Sequence, residues 1–278
     1  STTTPDMSSF AEALQYDFMQ HAIAASVMAA LLCAIVGTFI VVMRMVFMSG
    51  GVSHSAFAGL GAAHFFGFNP FAGALLAAVM VSLVLTRMIV HHRQPPDAMI
   101  GLLWAAGMSI GVIFVFLTPG YTPDLMPYLF GNILTISQQQ LLWMVGFTLL
   151  VLIIIAALFK PLVAVSFDDE FASLRGLPVG VLISVLMLLS SITIVLLIQA
   201  VGIILVMALM TIPPLIGLAI SASLRGVMLW AFASGLLVMF GGLLLSFQLD
   251  LPTGPVIVMT GIALLGAVKL ARRLTSST

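Results

Sequence analysis

The sequence predicts an all-α polytopic membrane protein with about eight or nine transmembrane helices. Of its 278 residues, 62% are hydrophobic and only 6% are charged, whereas a soluble domain carries about 25% charged residues. The mean hydropathy is +1.27, and apolar segments of about 20 residues, the length that crosses a bilayer, recur along the chain. The formal net charge is zero, which argues against nucleic acid as a partner because a polyanion requires clustered Lys and Arg.

Nine segments are apolar enough to be predicted as spans in the lipid bilayer, and they make residues 1–278 a single integral-membrane domain. Residues 1–19 are predicted to form an external helical extension, because Ser9 and Glu12 have the spacing of a capping box. The predicted spans are residues 20–43, 51–68, 71–90, 98–117, 139–159, 179–199, 201–220, 226–247 and 255–270.

The cationic residues predict the orientation of the chain. All nine Lys and Arg residues fall at alternate span ends, and these residue types collect in cytoplasmic loops. The amino terminus is therefore predicted outside and the carboxyl terminus in the cytoplasm. The nine residues are Arg44, Arg87, Arg93, Lys160, Arg175, Arg225, Lys269, Arg272 and Arg273.

A proline-rich segment, residues 119–137, joins the fourth and fifth spans. It is too polar for a full span, so we predict an external or re-entrant element. Ser137 and Gln140 have capping-box spacing, so the next helix is expected to begin there. Within the fourth span, Gly107 and Gly111 form a small-xxx-small pair that permits close helix approach.

Residues 161–178 are predicted to form a cytoplasmic loop that contains a short helix capped by Ser166. Its first turn carries three carboxylates, which suit the positive end of the helix dipole. Its end carries an arginine, a glycine able to close the helix and a proline. A helix this short is marginal alone, so it is either a solvated helix packed on its own protein or a docking site for a soluble partner. These residues are Asp168, Asp169, Glu170, Arg175, Gly176 and Pro178.

His54, in the second span, is the foremost candidate for a transport residue, because ionisable groups inside a membrane are costly and mark pathways. It lies 14 residues before Phe68, about 21 Å along a helix, with Ser53 beside it. Neutral imidazole suits Zn²⁺, Mn²⁺ or Fe²⁺, although a hydrogen-bonded packing role is the alternative. His64 lies ten residues further, so the two side chains cannot share an ion within one straight helix, and His64 is predicted as a second metal residue in an outer vestibule.

Pro213 and Pro214 are predicted to interrupt the seventh span and to free backbone carbonyls. A broken helix often borders a transport route, and a structural kink is an equal alternative. The chain contains no GxxxxGK[ST], HExxH or GxSxG motif, so the sequence supports no enzymatic activity.

Six short segments, spread along the chain from about residue 20 to its end, together form a recognisable pattern. They are GGVSHSAFAG, DAMIG at Asp97, DLMPYLFGNIL at Asp124, DDEFASLRGLPV, VGIILVMALMTIPP and LDLPTGPVIV around Asp250. Together they resemble the membrane subunits of ABC importers for zinc, manganese and iron. Those importers work with a periplasmic or surface-tethered metal-binding lipoprotein.

This resemblance implies a bacterial plasma-membrane permease that forms a homodimer, docks two cytoplasmic ATPases and passes metal along the dimer axis. ATP would then bind the partner subunit, and the permease would hold no permanent cofactor. The family's coupling helix corresponds to Asp168–Arg175. Family members commonly have an aspartate four residues before the histidine of the second span, and that position is Gly50 here. His54 is therefore expected to act with Ser49 or Ser53, or with the second copy.

Two other classes of function are open. An ATP-independent divalent cation carrier or channel would need ionisable groups along its spans, and no Asp or Glu lies deep within a predicted span. A membrane scaffold or receptor subunit would use the short helix only to recruit a soluble protein. Metal uptake that depends on ATP hydrolysis distinguishes the importer from both.

Overall fold

The computed structural model describes residues 15–92, 95–119, 131 and 133–276, and the regular elements in these ranges are helices. Most of the predicted external extension and of the proline-rich segment lies outside them. A 3₁₀ turn, Ile133–Thr135, precedes the fifth helix. The helices are α1 Asp17–Val42, α2 Met48–Phe66, α3 Pro70–His92, α4 Pro96–Leu117, α5 Gln138–Phe167, α6 Asp169–Leu174, α7 Val179–Val201, α8 Ile203–Ile220, α9 Leu224–Leu249 and α10 Thr253–Ser276.

Within the described ranges, eight helices are long and apolar enough to cross a membrane, namely all except α2 and α6. This finding confirms the predicted all-α polytopic class. The predicted second span is a helix too, but its four glycines, three serines and two histidines leave α2 more polar than the others. Most of its residues are nevertheless buried, because neighbouring helices cover the serines and most of the glycines of α2.

One compact unit comprises Ser1–Thr38, Met126–Leu152 and Gln199–Thr278. Within it, α8, α9 and α10 pack against one another. The packing is close because glycines lie at the contacts: a Cβ added at Gly242 of α9 would lie 2.6 Å from the Cα of Ile257 in α10. Small residues that bring backbones together are typical of helix contacts inside membranes.

The predicted interruption at Pro213 and Pro214 is wrong, because α8 continues through both residues. Each proline lacks an N–H, so the carbonyls of Leu209 and Met210 lose their helical donors. The Met210 carbonyl faces Gly37 of α1, where an added Cβ would lie 2.6 Å from the oxygen. The missing side chain at Gly37 therefore lets the backbone of α1 approach the carbonyl that the proline frees, as in the weak Cα–H···O contacts of helix interfaces.

A second compact unit comprises Phe39–Leu125 and Ile153–Ile198. In it α2 packs against both α3 and α4. On the α3 side, Gly59 lies against the backbone of Gly73. Neither position has room for a side chain, so glycine brings the two helices into backbone contact.

The predicted close approach of the fourth span at Gly107 and Gly111 is confirmed. A Cβ added at Gly111 would lie 2.6 Å from the carbonyl oxygen of Phe57, and one added at Gly107 would meet Ser55. The Ser55 hydroxyl also donates a 2.9 Å hydrogen bond to the Leu103 carbonyl of α4. The α2–α4 pair is therefore joined by backbone contact and by a hydrogen bond between helices.

α5 begins at the predicted capping box. The backbone N–H of Ser137 donates to Oε1 of Gln140 over 2.9 Å, and the N–H of Gln140 donates to Oγ of Ser137 over 3.2 Å. The helix has 30 residues and contains Pro161, so it is about 45 Å long and exceeds a hydrocarbon core of about 30 Å. Residues 161–167 of the predicted loop are thus the end of α5, and α6 follows them directly.

Candidate functional site

The candidate transport residues of the second unit lie in the first two turns of α2. Ser49, Gly50 and Ser53 are buried. The hydroxyl of Ser49 donates to the Val46 carbonyl over 3.0 Å, and that of Ser53 donates to the Ser49 carbonyl over 2.6 Å. Since both protons are used in bonds to nearby backbone carbonyls, the serines have only oxygen lone pairs left to offer a cation.

His54 is half-buried one turn after Gly50, and its ring stacks on Trp104 of α4. The ring centroids are 4.5 Å apart and the planes differ by 11°. Nδ1 of His54 is buried and has no hydrogen-bond partner. Nε2 is not among the buried polar atoms that lack a partner, and the residue is only half-buried, so we take Nε2 as the ring nitrogen that would bind a ligand. Sequence reasoning missed Trp104, because a tryptophan within a span usually faces lipid or packs.

His64 lies on α2 as well, but the structure does not bring it to His54. The ten residues between them amount to about 15 Å of helix, and the His64 side chain is exposed. Among the described residues, no group of three or more His, Cys, Asp or Glu side chains is arranged to hold a metal ion. The described part of the chain therefore offers an imidazole and hydroxyl oxygens at α2, with no carboxylate in the place of Gly50.

Pro213, the remaining predicted pathway residue, belongs to the first unit. It is buried within α8, and its Cβ lies 3.8 Å from the position of a Cβ added at Gly235 of α9. Its clearest structural consequence is the freed carbonyl at Leu209, beside the one that Pro214 frees at Met210.

The short helix α6 is capped by Asp168, and the predicted cap at Ser166 is wrong. Ser166 lies inside α5, where its buried hydroxyl donates to the Leu162 carbonyl over 2.7 Å. Asp168 is extended, with φ −154° and ψ 98°, and its carboxylate accepts the backbone N–H of Phe171 over 2.8 Å. The carboxylate thus satisfies one of the free donors at the start of the helix.

α6 ends as the sequence predicts. Gly176 has a φ of 76°, and this left-handed conformation favours glycine. The N–H of Gly176 donates to the Ser173 carbonyl over 2.9 Å, and the N–H of Leu177 donates to the Ala172 carbonyl over 3.2 Å. These bonds close the helix before Pro178.

The exposed face of α6 carries apolar side chains as well as charged ones. Ala172 is the buried residue of the helix, whereas the side chains of Leu174 and Phe171 are 88% and 50% exposed. The guanidinium carbon of Arg175 lies 4.8 Å from the centroid of the Phe171 ring, a cation–π contact. Asp169 and Glu170 are exposed in the first turn. Sequence reasoning identified the charges of this face but missed its leucine and phenylalanine.

The chain is similar to known proteins along most of its length. It matches the ABC 3 transport family over residues 15–270. It is 39% identical over 251 residues to an uncharacterized membrane protein of Synechocystis sp., covering 89% of this chain and 88% of that protein. It is 30% identical over 250 residues to the manganese transport system membrane protein MntC of Halalkalibacterium halodurans, covering 90% and 86% of the two chains.

A solved structure has the same fold. PsaBC from Streptococcus pneumoniae, in complex with Fab, matches this chain with a TM-score of 0.83 and 25% sequence identity. The match covers 95% of each chain. The all-helical fold of this chain is therefore one that a solved structure also has.

Proposed function

Because this chain belongs to the ABC 3 transport family and is a multi-pass protein of the bacterial inner membrane, we propose that it is the permease subunit of an ATP-driven importer for a divalent transition metal. The metal is Zn²⁺, Mn²⁺ or Fe²⁺, and a relative described as a manganese transport protein supports this class. Two copies form the path. A separate cytoplasmic subunit, also present twice, hydrolyses ATP, and a periplasmic or lipoprotein metal-binding protein delivers the cargo.

The exposed apolar face of α6 is the observation that carries the ATP-coupled part of this proposal. A leucine that is 88% exposed, on a helix with charged first-turn residues, suits a protein partner better than water or lipid. Interface centres combine apolar anchors with charged groups at the rim. In the proposed complex, Leu174 and Phe171 enter the ATPase surface, and Asp169 and Glu170 contact its rim. Arg175 holds the Phe171 ring.

The ends of α6 have a supporting role in the proposed coupling. Asp168 fixes the start of the helix and Gly176 fixes its end, so both set the direction in which the apolar face points. The helix follows α5 with one residue between them. A movement of the ATPase against α6 is therefore transmitted to a membrane-spanning helix without a long flexible connection.

In the proposed path, Nε2 of His54 is the metal ligand of α2. Gly50 brings no charge, and Ser53 offers a hydroxyl oxygen. One imidazole is an incomplete coordination shell for a divalent metal, so the second copy supplies a further ligand at the dimer axis. His64 lies in the outer vestibule, and Pro213 is a further proposed residue of the translocation path. This set is weakly charged, as a transit site from which the ion must leave requires.

The test of the proposed function is metal uptake into proteoliposomes that contain the permease and its ATPase. We expect uptake to require ATP hydrolysis. Charge reversal by Asp169→Lys with Glu170→Lys should uncouple transport, because it reverses the charge of the rim of the docking surface. Uptake that proceeds without ATP would instead identify an ATP-independent carrier or channel. Normal transport and a full complement of ATPase in the doubly changed complex would contradict the coupling assignment.

His54→Ala is expected to lower metal uptake about 10-fold or more, since a transit ligand is lost, a factor corresponding to ~1.4 kcal/mol. Assembly with the ATPase should remain intact because α6 is unchanged. His64→Ala, on the same helix but exposed, is the matched comparison and should have the smaller effect. Unchanged uptake kinetics in His54→Ala would assign this histidine to packing.

A further inference from the structure

We propose that Trp104 is a positioning residue for metal transit: its indole holds the His54 imidazole by stacking, so that Nε2 faces the cargo ion. This inference rests on the proposed function and adds a residue on another helix to its transport site. The stack joins α2 to α4, with 4.5 Å between ring centroids and 11° between planes. Offset parallel rings at this separation attract each other beyond the area they bury.

The hydrogen bonding of His54 explains why a stack is needed. A metal-binding histidine usually donates its second ring N–H to a carboxylate or a backbone carbonyl, which orients the ring. Nδ1 of His54 is buried and has no such partner, and Gly50 supplies no carboxylate one turn away. Two aromatic rings stack on the His54 ring in the described part of the chain. The Phe57 ring, at 6.2 Å, belongs to α2 itself, whereas Trp104 reaches His54 from another helix, α4. The indole face thus takes over the orienting role of the missing acceptor.

The backbone positions on both sides of the stack are tightly constrained. Ser55, next to His54, donates to the carbonyl of Leu103, next to Trp104, over 2.9 Å. A Cβ added at Gly107, one turn after Trp104, would meet Ser55. The two rings are therefore carried by backbones that touch, so a movement of one helix that separated the rings would break the α2–α4 contact.

The electronic properties of the pair also favour a metal cargo. A bound divalent ion draws electron density from imidazole, and the electron-rich face of an indole attracts an electron-poor ring or cation. The stack should therefore strengthen when the metal binds at Nε2. Trp104 would thus favour the metal-bound state of His54 without itself being a ligand.

The spectroscopic test uses Trp104 as its own probe. Trp143 and Trp230 are 63% and 47% exposed, so Trp143→Phe and Trp230→Phe leave a full-length chain whose sole tryptophan is Trp104. We expect Co²⁺, an open-shell ion that quenches indole emission at short range, to quench this protein saturably in lipid nanodiscs. Closed-shell Zn²⁺ should compete and restore the emission. His54→Phe keeps an aromatic ring but removes the nitrogens, and it should abolish the quenching.

A second experiment measures the affinity of Trp104 variants for Co²⁺ by equilibrium dialysis. Trp104→Ala should weaken binding about 2- to 12-fold, the range that an aromatic pair contributes, and Trp104→Phe should restore most of it. Phe114→Ala is the matched control. It removes the aromatic contact of α4 with Phe65 of α2, 5.5 Å between centroids, far from His54, and should leave the affinity unchanged.

Three results would overturn this inference. They are quenching that survives in His54→Phe, no saturable quenching in the protein with Trp104 alone, and equal losses of affinity in Trp104→Ala and Phe114→Ala. Each of them leaves the proposed function standing if uptake still depends on ATP. Absence of ATP-dependent uptake by the unchanged protein would instead refute the proposed function.

Discussion

Leu174→Asp is expected to release the ATPase from the permease and to stop ATP-driven transport. Leu174 is the most exposed large apolar side chain of α6, and a central apolar anchor in an interface is worth about 2 kcal/mol or more, about 30-fold in affinity. The aspartate also brings a charge into a desolvated contact, which adds to the loss. The measurement is the ratio of ATPase to permease after co-purification, together with ATP-dependent metal uptake.

Ser173→Asp is the matched control for this change. It adds the same charge at the neighbouring exposed position of α6 without removing an apolar anchor, and it should retain most of the ATPase. Leu174→Met keeps an apolar side chain and should behave like the unchanged protein. Full retention of the ATPase by Leu174→Asp would show that the apolar face of α6 is not the docking surface.

Gly111→Ala is expected to destabilise the pair of helices α2 and α4. The added methyl group would lie 2.6 Å from the carbonyl oxygen of Phe57, and a backbone atom cannot move aside as a flexible side chain can. Overpacking of this kind costs about 1–3 kcal/mol. The measurement is thermal unfolding of the detergent-purified protein, where the midpoint should fall.

Gly101→Ala provides the control on the same helix. A Cβ at Gly101 would have no atom within 4 Å, so the same substitution there should leave the midpoint unchanged or raise it slightly, because alanine favours helix more than glycine does. A midpoint for Gly111→Ala that matches the one for Gly101→Ala would show that α2 and α4 do not touch as described.

The sequence predicted the features that depend on local chemistry. Apolar length predicted the helical segments, because a chain in lipid must satisfy its backbone hydrogen bonds within each segment. The capping box at Ser137 and the left-handed glycine at Gly176 depend on residues within one turn of each other. The close approach at Gly111 was predictable too, since a small residue at a four-residue interval has few other uses in a span.

Two predictions were wrong because a longer-range preference outweighed the local one. Ser166 has capping-box spacing, but α5 continues past Pro161 and the hydroxyl of Ser166 bonds to its own helix, so the cap passes to Asp168. Pro213 and Pro214 do not break α8, because neighbouring helices keep the segment packed and Gly37 approaches the Met210 carbonyl that Pro214 frees. Within a membrane protein, burial against other helices offsets the loss of individual hydrogen bonds.

Leu174 and Trp104 were missed for a different reason. Each has a residue type that is ordinary for its sequence context, a leucine in a short helix and a tryptophan in an apolar span. What distinguishes Leu174 is an exposure that only the folded chain defines. Trp104 is distinguished by a partner 50 residues earlier in the sequence, and no periodicity within one helix predicts such a contact.

The polarity of α2 has a consequence for the synthesis of the protein. A segment with two histidines and several glycines and serines gains little by leaving the translocon for lipid alone, since membrane insertion depends on the summed apolarity of the segment. We expect α2 to enter the bilayer together with α3 and α4, whose glycine-lined sides receive it. We therefore expect α2 to reach its native packing only after the ribosome has synthesised α4.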